Sequence, residues 1–276
     1  MRRFAEHADI PIAMTLLGIG GVPASHPLNL GMMGMHGEAW VNTSIQEADL
    51  LIALGMRFDD RVTGNVKTYA LNAKKIHLEI DRSEINKNVK VDVGLVGDVG
   101  QLLQAMMPRV ERGNHAAWRA HIDSLKGDAA VRDIQNLPDS GHLYAAHVIH
   151  DLWRETGGNA VVVTDVGQHQ MWEAQYYHHD QPRSLITSGG LGTMGFALPA
   201  AIGAKIARPD AEVWVVVGDG GFQMTMAELA TIAQEGIDIN VAIINNGYLG
   251  MVRQWQEFFY ERRYAATPLS SPDFVK

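Results

Sequence analysis

Apolar residues in this chain fall in short runs that alternate with stretches of helical period, most sharply in the last third. Val213–Val217 is a continuous apolar run of strand length. In Met226–Gln234 the residues Met226, Leu229, Ala230 and Ala233 fall at i, i+3, i+4 and i+7, one face of a helix. Ile239–Ile244 restores the strand pattern. Strand, helix and strand within about thirty residues form a βαβ unit with parallel strands. Gly218, Asp219 and Asn246 therefore leave their strands at the same carboxyl edge, where open α/β sheets take ligands.

The same alternation runs through the rest of the chain. Arg3–Ala8 reads as the end of a helix, Ile10–Thr15 as a strand, and Gly18–Pro23 as a glycine-rich loop. A Met/Gly stretch over Gly31–Gly37 precedes a helix at Glu38–Glu47. Strands follow at Asp49–Gly55, which ends at Arg57–Arg61, at Lys75–Asp81 and at Val93–Val96, before a helix at Val99–Val110. Residues 111–141 turn polar and irregular, with one helix over Ala116–Leu125 and a loop at Asn136–Gly141. Elements then resume: a helix at His142–Glu155, strands at Ala160–Asp165 and Leu185–Thr187, a helix at Phe196–Ala207, and a helix at Met251–Tyr260 after the βαβ unit. The expected fold is α/β, with two Rossmann-like parallel-sheet domains over 1–112 and 142–276 and a linker over 113–141.

Composition narrows the class. The 276 residues are 46% hydrophobic and 20% charged, a normal soluble balance. With 31 acidic against 23 basic residues, a general nucleic-acid or anionic-membrane binder is disfavoured. The absence of cysteine rules out disulfides and suits a reducing cytosol. No apolar run approaches the roughly 18 residues of a membrane span, and Met1–Ala8 lacks the apolar core of a signal peptide.

The residue types at the carboxyl edge point to a chemistry. Asp219 offers a carboxylate, Asn246 an amide oxygen, and the turn after Asn246 a backbone carbonyl. These are hard donors for Mg²⁺ or Ca²⁺ rather than zinc, and they leave about half of an octahedron for phosphate and water. Gly218, Gly220 and Gly221 let the backbone approach a phosphate. The rival reading is an NAD-type domain, because Gly190–Gly195 fits G-x-G-x-x-G and Asp219 stands near a ribose-acid position. That reading leaves Asn245 and Asn246 without a role. No P-loop or nucleophile elbow occurs.

Other positions carry weaker signals. In the first half, glycine-rich turns, Arg57, Arg61 and Glu79 suit a dinucleotide. His142, His147 and His150 share a helix, and packed or solvated histidines explain them better than zinc. Gln168 and His169 sit in a loop directly after a buried strand, within reach of a phosphate. Met194 is placed to press against a cofactor ring. Trp255, Phe258 and Phe259 read as core, or as the wall of an apolar pocket.

Asp219 and Asn246 in this frame resemble the GDG…NN motif of thiamine-diphosphate enzymes. Three further blocks, Asp165–Gln170, Gly190–Ala201 and Gly250–Tyr260, resemble the acetohydroxyacid (acetolactate) synthase family, as do Gly34–Gly37 and Arg57–Gly64 in the first half. The resemblance implies a central FAD-type domain and a thiamine-diphosphate domain. It implies Mg²⁺ on Asp219, Asn246 and the carbonyl of Tyr248, with the diphosphate on Gly167, Gln168 and His169. Val166, Gly192, Gly218, Gly220, Gly221, Gly250 and Met251 surround the cofactor by the same resemblance, and Met194 braces it between its rings. FAD, structural rather than redox, would lie along Thr15, Leu16, His36, Gly37, Gly55, Arg57, Asp59, Arg61, Val62, Glu79, Ile80, Gly97 and Asp98. Trp255 and Arg61 would border the substrate channel.

The implied reaction is thiamine-dependent decarboxylation of pyruvate and its carboligation to a second pyruvate or to 2-oxobutyrate, in branched-chain amino acid synthesis. A cytoplasmic homo-oligomer joined through the thiamine domain, with a regulatory small subunit, goes with it. The family also carries an amino-terminal domain whose Glu activates the cofactor, and nothing here corresponds to it. The expectation is a piece of a longer protein, cut at both ends and inactive alone because that acid–base help, worth about 10²–10⁴-fold, is missing.

Overall fold

A computed structural model describes residues 1–130 and 141–276, so the loop expected at 136–140 lies outside the described residues. Two compact units emerge, one from Met1–Gly18 and Ala24–Asp133, the other from Ile19–Pro23 and Ile134–Lys276.

In the first unit, α1 (Arg2–Ala8) stops at Asp9, whose left-handed backbone (φ 52°) turns the chain toward β1 (Ile12–Met14). The strand β2 (Asn29–Met32) pairs parallel with β1. After α2 (Ala39–Glu47) comes β3 (Leu50–Leu54). It joins β4 (Lys74–Glu79) and β5 (Val93–Val96) in a parallel sheet of order β3-β4-β5. Asp59 and Asp98 cap the helices α3 (Asp60–Thr63) and α4 (Val99–Met106), accepting from the N–H groups of Arg61 and Gln101. The strand ends at Gly55, Glu79 and Gly97 are laced together, Gly55 N–H to Leu78 O and Gly97 N–H to Glu79 O.

The polar stretch after α4 contains α5 (Ala116–Ala130), longer than its sequence pattern indicates. Its Ile122 is buried in one core with Val41 and Ile45 of α2 and with Phe58 and Tyr69. The carboxylate of Asp9 accepts from His115 N–H at 2.6 Å and pairs with Arg119, tying the start of α5 to the end of α1. Much of the expected linker is thus part of the first unit.

The second unit is a parallel sheet of order β7-β6-β8-β9. Its strands are β6 (Val161–Thr164), β7 (Leu185–Thr187), β8 (Val213–Gly218) and β9 (Asn240–Ile244). All four residues of β6 are buried, as a strand covered on both faces requires. The alternation is explicit. Val161, Val163, Val213, Val215 and Val217 pack with α8 (Ala197–Ala207). Val162 and Val216 pack on the other face with Ile149 and Leu152 of α6 (Ala145–Glu155) and with Tyr177. Each such buried side chain contributes about 1.5–3 kcal/mol. The chain passes from β6 out to β7, then back across β6 to β8 and β9. This places a topological switch point between β6 and β8.

Several expectations need correction. The strand β2, unmarked in the sequence pattern, runs into the start of the Met/Gly stretch at Gly31 and Met32. His142 precedes α6 rather than lying on it with His147 and His150. Gln168 and His169 are not in a loop but open the helix α7 (Gln168–Tyr176). The GDGG segment is likewise helical, because α9 (Asp219–Thr225) starts directly at the end of β8. The expected helix over Met226–Gln234 is a 3₁₀ turn followed by α10 (Leu229–Glu235). Phe258 and Phe259, on α11 (Gly250–Phe259), are 67% exposed and are not core.

The docking of α5 is testable. Ile122→Ala leaves a cavity in the first unit, with an expected loss of about 2–4 kcal/mol. Urea unfolding followed through Trp118 and Trp40, which pack against this core, measures it. A change below about 0.5 kcal/mol would show that α5 is not part of the core.

Candidate functional site

The site of the second unit is built on one buried acid, Asp165, which follows β6. It is 1% exposed. Its Oδ1 accepts from the N–H groups of Val166 (2.8 Å) and Gly195 (3.0 Å), and its Oδ2 accepts from Ala197 N–H (3.0 Å). The glycine-rich loop before α8 is thereby clamped to the end of β6. This removes the NAD-type reading of Gly190–Gly195, since a carboxylate already occupies the helix start that a pyrophosphate would need.

Beside Asp165, the imidazole of His169 is packed between two glycines. A Cβ on Gly167 would lie 2.9 Å, and one on Gly218 3.0 Å, from its Cε1. A Cβ on Gly221 would lie 2.6 Å from Asp165 Oδ1, and one on Gly220 would meet Leu249 and Leu269. The glycines of this edge therefore make room for the chain's own side chains, a different reason from the phosphate approach expected from sequence. Burial holds the His169 pKa down at about 4, against the opposing pull of the Asp165 charge and carbonyl and of Asp219. Its Nε2 is buried and finds no hydrogen-bond partner among the described residues.

A cavity opens at this edge. Val166, Gly167, Gln168, His169 and Trp172 line it from β6 and α7, and Gly218–Gly221 from β8 and α9. Ile244, Asn246 and Tyr248–Val252 line it from β9 and α11, and Met194 from the glycine-rich loop. Asp219 is 1% exposed, and its Oδ2 accepts from the Ser271 hydroxyl at 3.0 Å. Asn246 Oδ1 accepts from Tyr248 N–H at 3.0 Å. Among the described residues no cluster of three or more His, Asp or Glu side chains forms a metal site. A cation here would rely on Asp219, the Asn246 amide oxygen and the Tyr248 carbonyl.

Two predicted residues stand apart from the lining. Gly192 sits in the clamped loop with φ 65°, and the Trp255 ring on α11 meets Phe259 at 5.0 Å. Sequence reasoning gave no role to Asp165, Trp172, Leu249, Val252 or Ser271. Only Asp165, an acid closing a buried apolar run, carried a local signal. The far side of α7 holds a buried chain in which Glu173 Oε1 meets His179 Nε2 at 2.7 Å and His179 Nδ1 meets Ser184 Oγ at 2.6 Å. Burial pushes the Glu173 pKa up while His179 pulls it down.

In the first unit the predicted residues gather at the strand ends. Gly55 (φ 62°) follows β3, Glu79 ends β4, and Gly97–Asp98 follow β5. Glu79 is buried and accepts from the N–H groups of Ile80 and Asp81, while Ile80 is exposed. Arg57 pairs with Asp59 at 3.2 Å. The 34–37 turn meets Arg61 through Met35 N–H to Arg61 O, and burial and the Arg61 charge lower the His36 pKa. A Cβ on Gly37 would strike the backbone of Met33. Thr15 and Leu16 follow β1, and Val62 lies on α3.

A parallel sheet with a hard-oxygen cavity at its switch point defines an α/β cofactor-binding protein. The chain belongs to the thiamine pyrophosphate enzyme family. Residues 1–106 match the thiamine pyrophosphate enzyme central domain, and residues 165–276 match its C-terminal TPP binding domain. The whole chain is 49% identical over 288 residues to an acetolactate synthase of Mycobacterium leprae, covering 46% of that protein. It is 48% identical over 288 residues to the acetolactate synthase large subunit of Corynebacterium glutamicum, covering 45% of it. With the acetolactate synthase isozyme 2 large subunit of Escherichia coli, identity is 44% over 276 residues and coverage 49%. In each case all of this chain is matched, and it spans about half the length of these relatives. No described helix is long and apolar enough to cross a membrane.

The buried imidazole makes a pH prediction. Folded His169 stays neutral down to about pH 4, whereas an unfolded imidazole takes its proton near pH 6.5. Between those values the unfolded chain binds more protons, so stability falls as pH drops through the window, by about 3 kcal/mol at its foot. Urea unfolding of wild type and His169→Gln between pH 7 and 4 checks this. The variant loses less stability by roughly that amount, and parallel pH profiles would refute the assignment.

Proposed function

We propose that the cavity at the β6–β8 switch point holds thiamine diphosphate through Mg²⁺, and that the chain serves acetolactate synthesis. The reaction is decarboxylation of pyruvate and transfer of the two-carbon unit to a second pyruvate or to 2-oxobutyrate. One observation carries this reading: three segments, Asp165–His169, Gly218–Gly221 and Asn246–Met251, converge on a single cavity of the unit that matches the TPP binding domain.

The residues fit the group. A buried carboxylate, an amide oxygen and a backbone carbonyl are Mg²⁺ donors that leave positions for phosphate and water. The orphaned His169 Nε2, when it carries the ring proton, donates to a diphosphate oxygen, and Gln168 lies beside it. When bound, thiamine diphosphate supplies the electron sink for loss of carbon dioxide. The chain's own part is positional. Asp219, Asn246 and Tyr248 would hold the cation, Gln168 and His169 would orient the diphosphate, and Met194 would brace the cofactor. Ile244, Leu249, Met251 and Val252 exclude water from one wall.

The same reading places FAD at the strand ends of the first unit. Arg57 and Arg61 serve its phosphates, Glu79 a ribose hydroxyl, and the exposed Ile80 a ring, with Gly55, Gly97 and Asp98 at the same edge. Pyruvate and 2-oxobutyrate are then the substrates, and a second copy joins through the second unit. A regulatory small subunit is a further partner, in keeping with the words "large subunit" in the names of two relatives.

Calorimetric titration of thiamine diphosphate tests the first part. Binding is expected only with Mg²⁺ present and at least about tenfold weaker in Asp219→Ala. Tight NADH binding without metal, and none of thiamine diphosphate, would overturn the reading. For the second part, flavin fluorescence is expected to fall on binding, with FAD affinity reduced about tenfold in Glu79→Gln, on the scale of 1.4 kcal/mol for one lost contact. Thiamine diphosphate affinity stays unchanged in that variant, and equal FAD binding by both proteins would remove Glu79 from the site.

A further inference from the structure

The turn that carries Tyr248 is held by a later segment. Leu249 N–H donates to Thr267 O and Leu269 N–H to Gly247 O, both at 2.8 Å, and Tyr248 stands opposite Pro268. In such an antiparallel pair the flanking residues make the bonds, and the N–H and C=O of the central residue point away. The Tyr248 N–H accordingly serves Asn246, and its carbonyl is not consumed by the strap. Leu269 packs under Gly220, where a Cβ would lie 2.9 Å from its Cδ1.

Two residues further on, Ser271 reaches the buried acid. Its hydroxyl donates to Asp219 Oδ2 at 3.0 Å. The Gln223 amide donates to Asp219 O at 3.1 Å and to Ser271 Oγ at 3.4 Å. With a lone pair of Ser271 engaged by Gln223, its proton is directed at Asp219. The carboxylate is thus held in one rotation by a residue that no local motif marks.

We propose that Ser271 is a positioning residue of the cation site. It fixes the Asp219 carboxylate and, through the 267–269 pairing, keeps that carboxylate in register with the Tyr248 carbonyl. Donors that follow β8 and β9 are then held by one strap. This rests on the Mg²⁺ reading above. Outer partners that orient a ligand govern both affinity and selectivity. Mg²⁺ demands near-ideal octahedral geometry, whereas Ca²⁺ tolerates loose and variable sites. Loss of the hydroxyl therefore weakens Mg²⁺ more than Ca²⁺.

The test is calorimetric titration of Mg²⁺ and of Ca²⁺ at saturating thiamine diphosphate. The proteins compared are wild type, Ser271→Ala, Ser271→Thr and Gln223→Leu, each checked for fold by circular dichroism. In Ser271→Ala, Mg²⁺ affinity drops about tenfold, the Ca²⁺ affinity drops less, and Ser271→Thr restores both. Gln223→Leu shifts the ratio in the same direction and serves if the alanine variant does not fold. Unchanged Mg²⁺ affinity, or equal weakening of both ions as a purely structural strap would produce, overturns the proposal while leaving the thiamine reading intact. Wild type that binds neither ion overturns both.

Discussion

The second unit depends on one buried carboxylate. Asp165 is removed from water at the end of a fully buried strand and satisfied by three backbone N–H groups, two of them thirty or so residues later in the chain. A charge so placed is tolerable only while those donors stay put, because an uncompensated buried carboxylate is very costly. The glycine-rich loop, the start of α8 and the placement of Met194 follow from that constraint. So does Gly221, since any larger residue would displace the same oxygen. The chemistry proposed for the cavity uses other residues, but the shape of the cavity begins here.

Much of this is legible in the sequence. Val93–Val96 and Leu185–Thr187 occur as strands with the bounds their patterns indicate, because short apolar runs between turn residues have few alternatives. The pairing of Asp219 with Asn246 at one edge followed from the βαβ unit alone, since parallel strands must expose their carboxyl ends together. What failed was local. The helix α7 shows no apolar stripe because its buried residues are polar: His169, Gln170 and Glu173 find partners outside the helix in Asp165, Thr187 and His179. The strand β2 hides because Asn29–Met32 offers little β-propensity to read.

The glycines teach a related lesson. A run such as Gly218–Gly221 reads naturally as a backbone cleared for a phosphate, yet the neighbours of each missing side chain are His169, Asp165, Leu249 and Leu269. Sequence spacing locates such a segment well but does not reveal which neighbour needs the room. Ser271 is the converse case. It lies far along the chain from Asp219 in an irregular segment, and only tertiary contact brings its hydroxyl there.

The cavity draws its walls from segments at the ends of β6, β8 and β9, and a strap near residue 270 holds two of them, so no subset of these segments contains a finished site. Such an arrangement cannot form early in folding, because its contacts close long loops. It also means that occupancy and global stability are linked quantities. A ligand at one hundred times its dissociation constant adds about 2.7 kcal/mol to the folded state of the whole unit rather than to a single loop. Cofactor supply would thereby set how much of the chain stands folded as well as how much stands loaded.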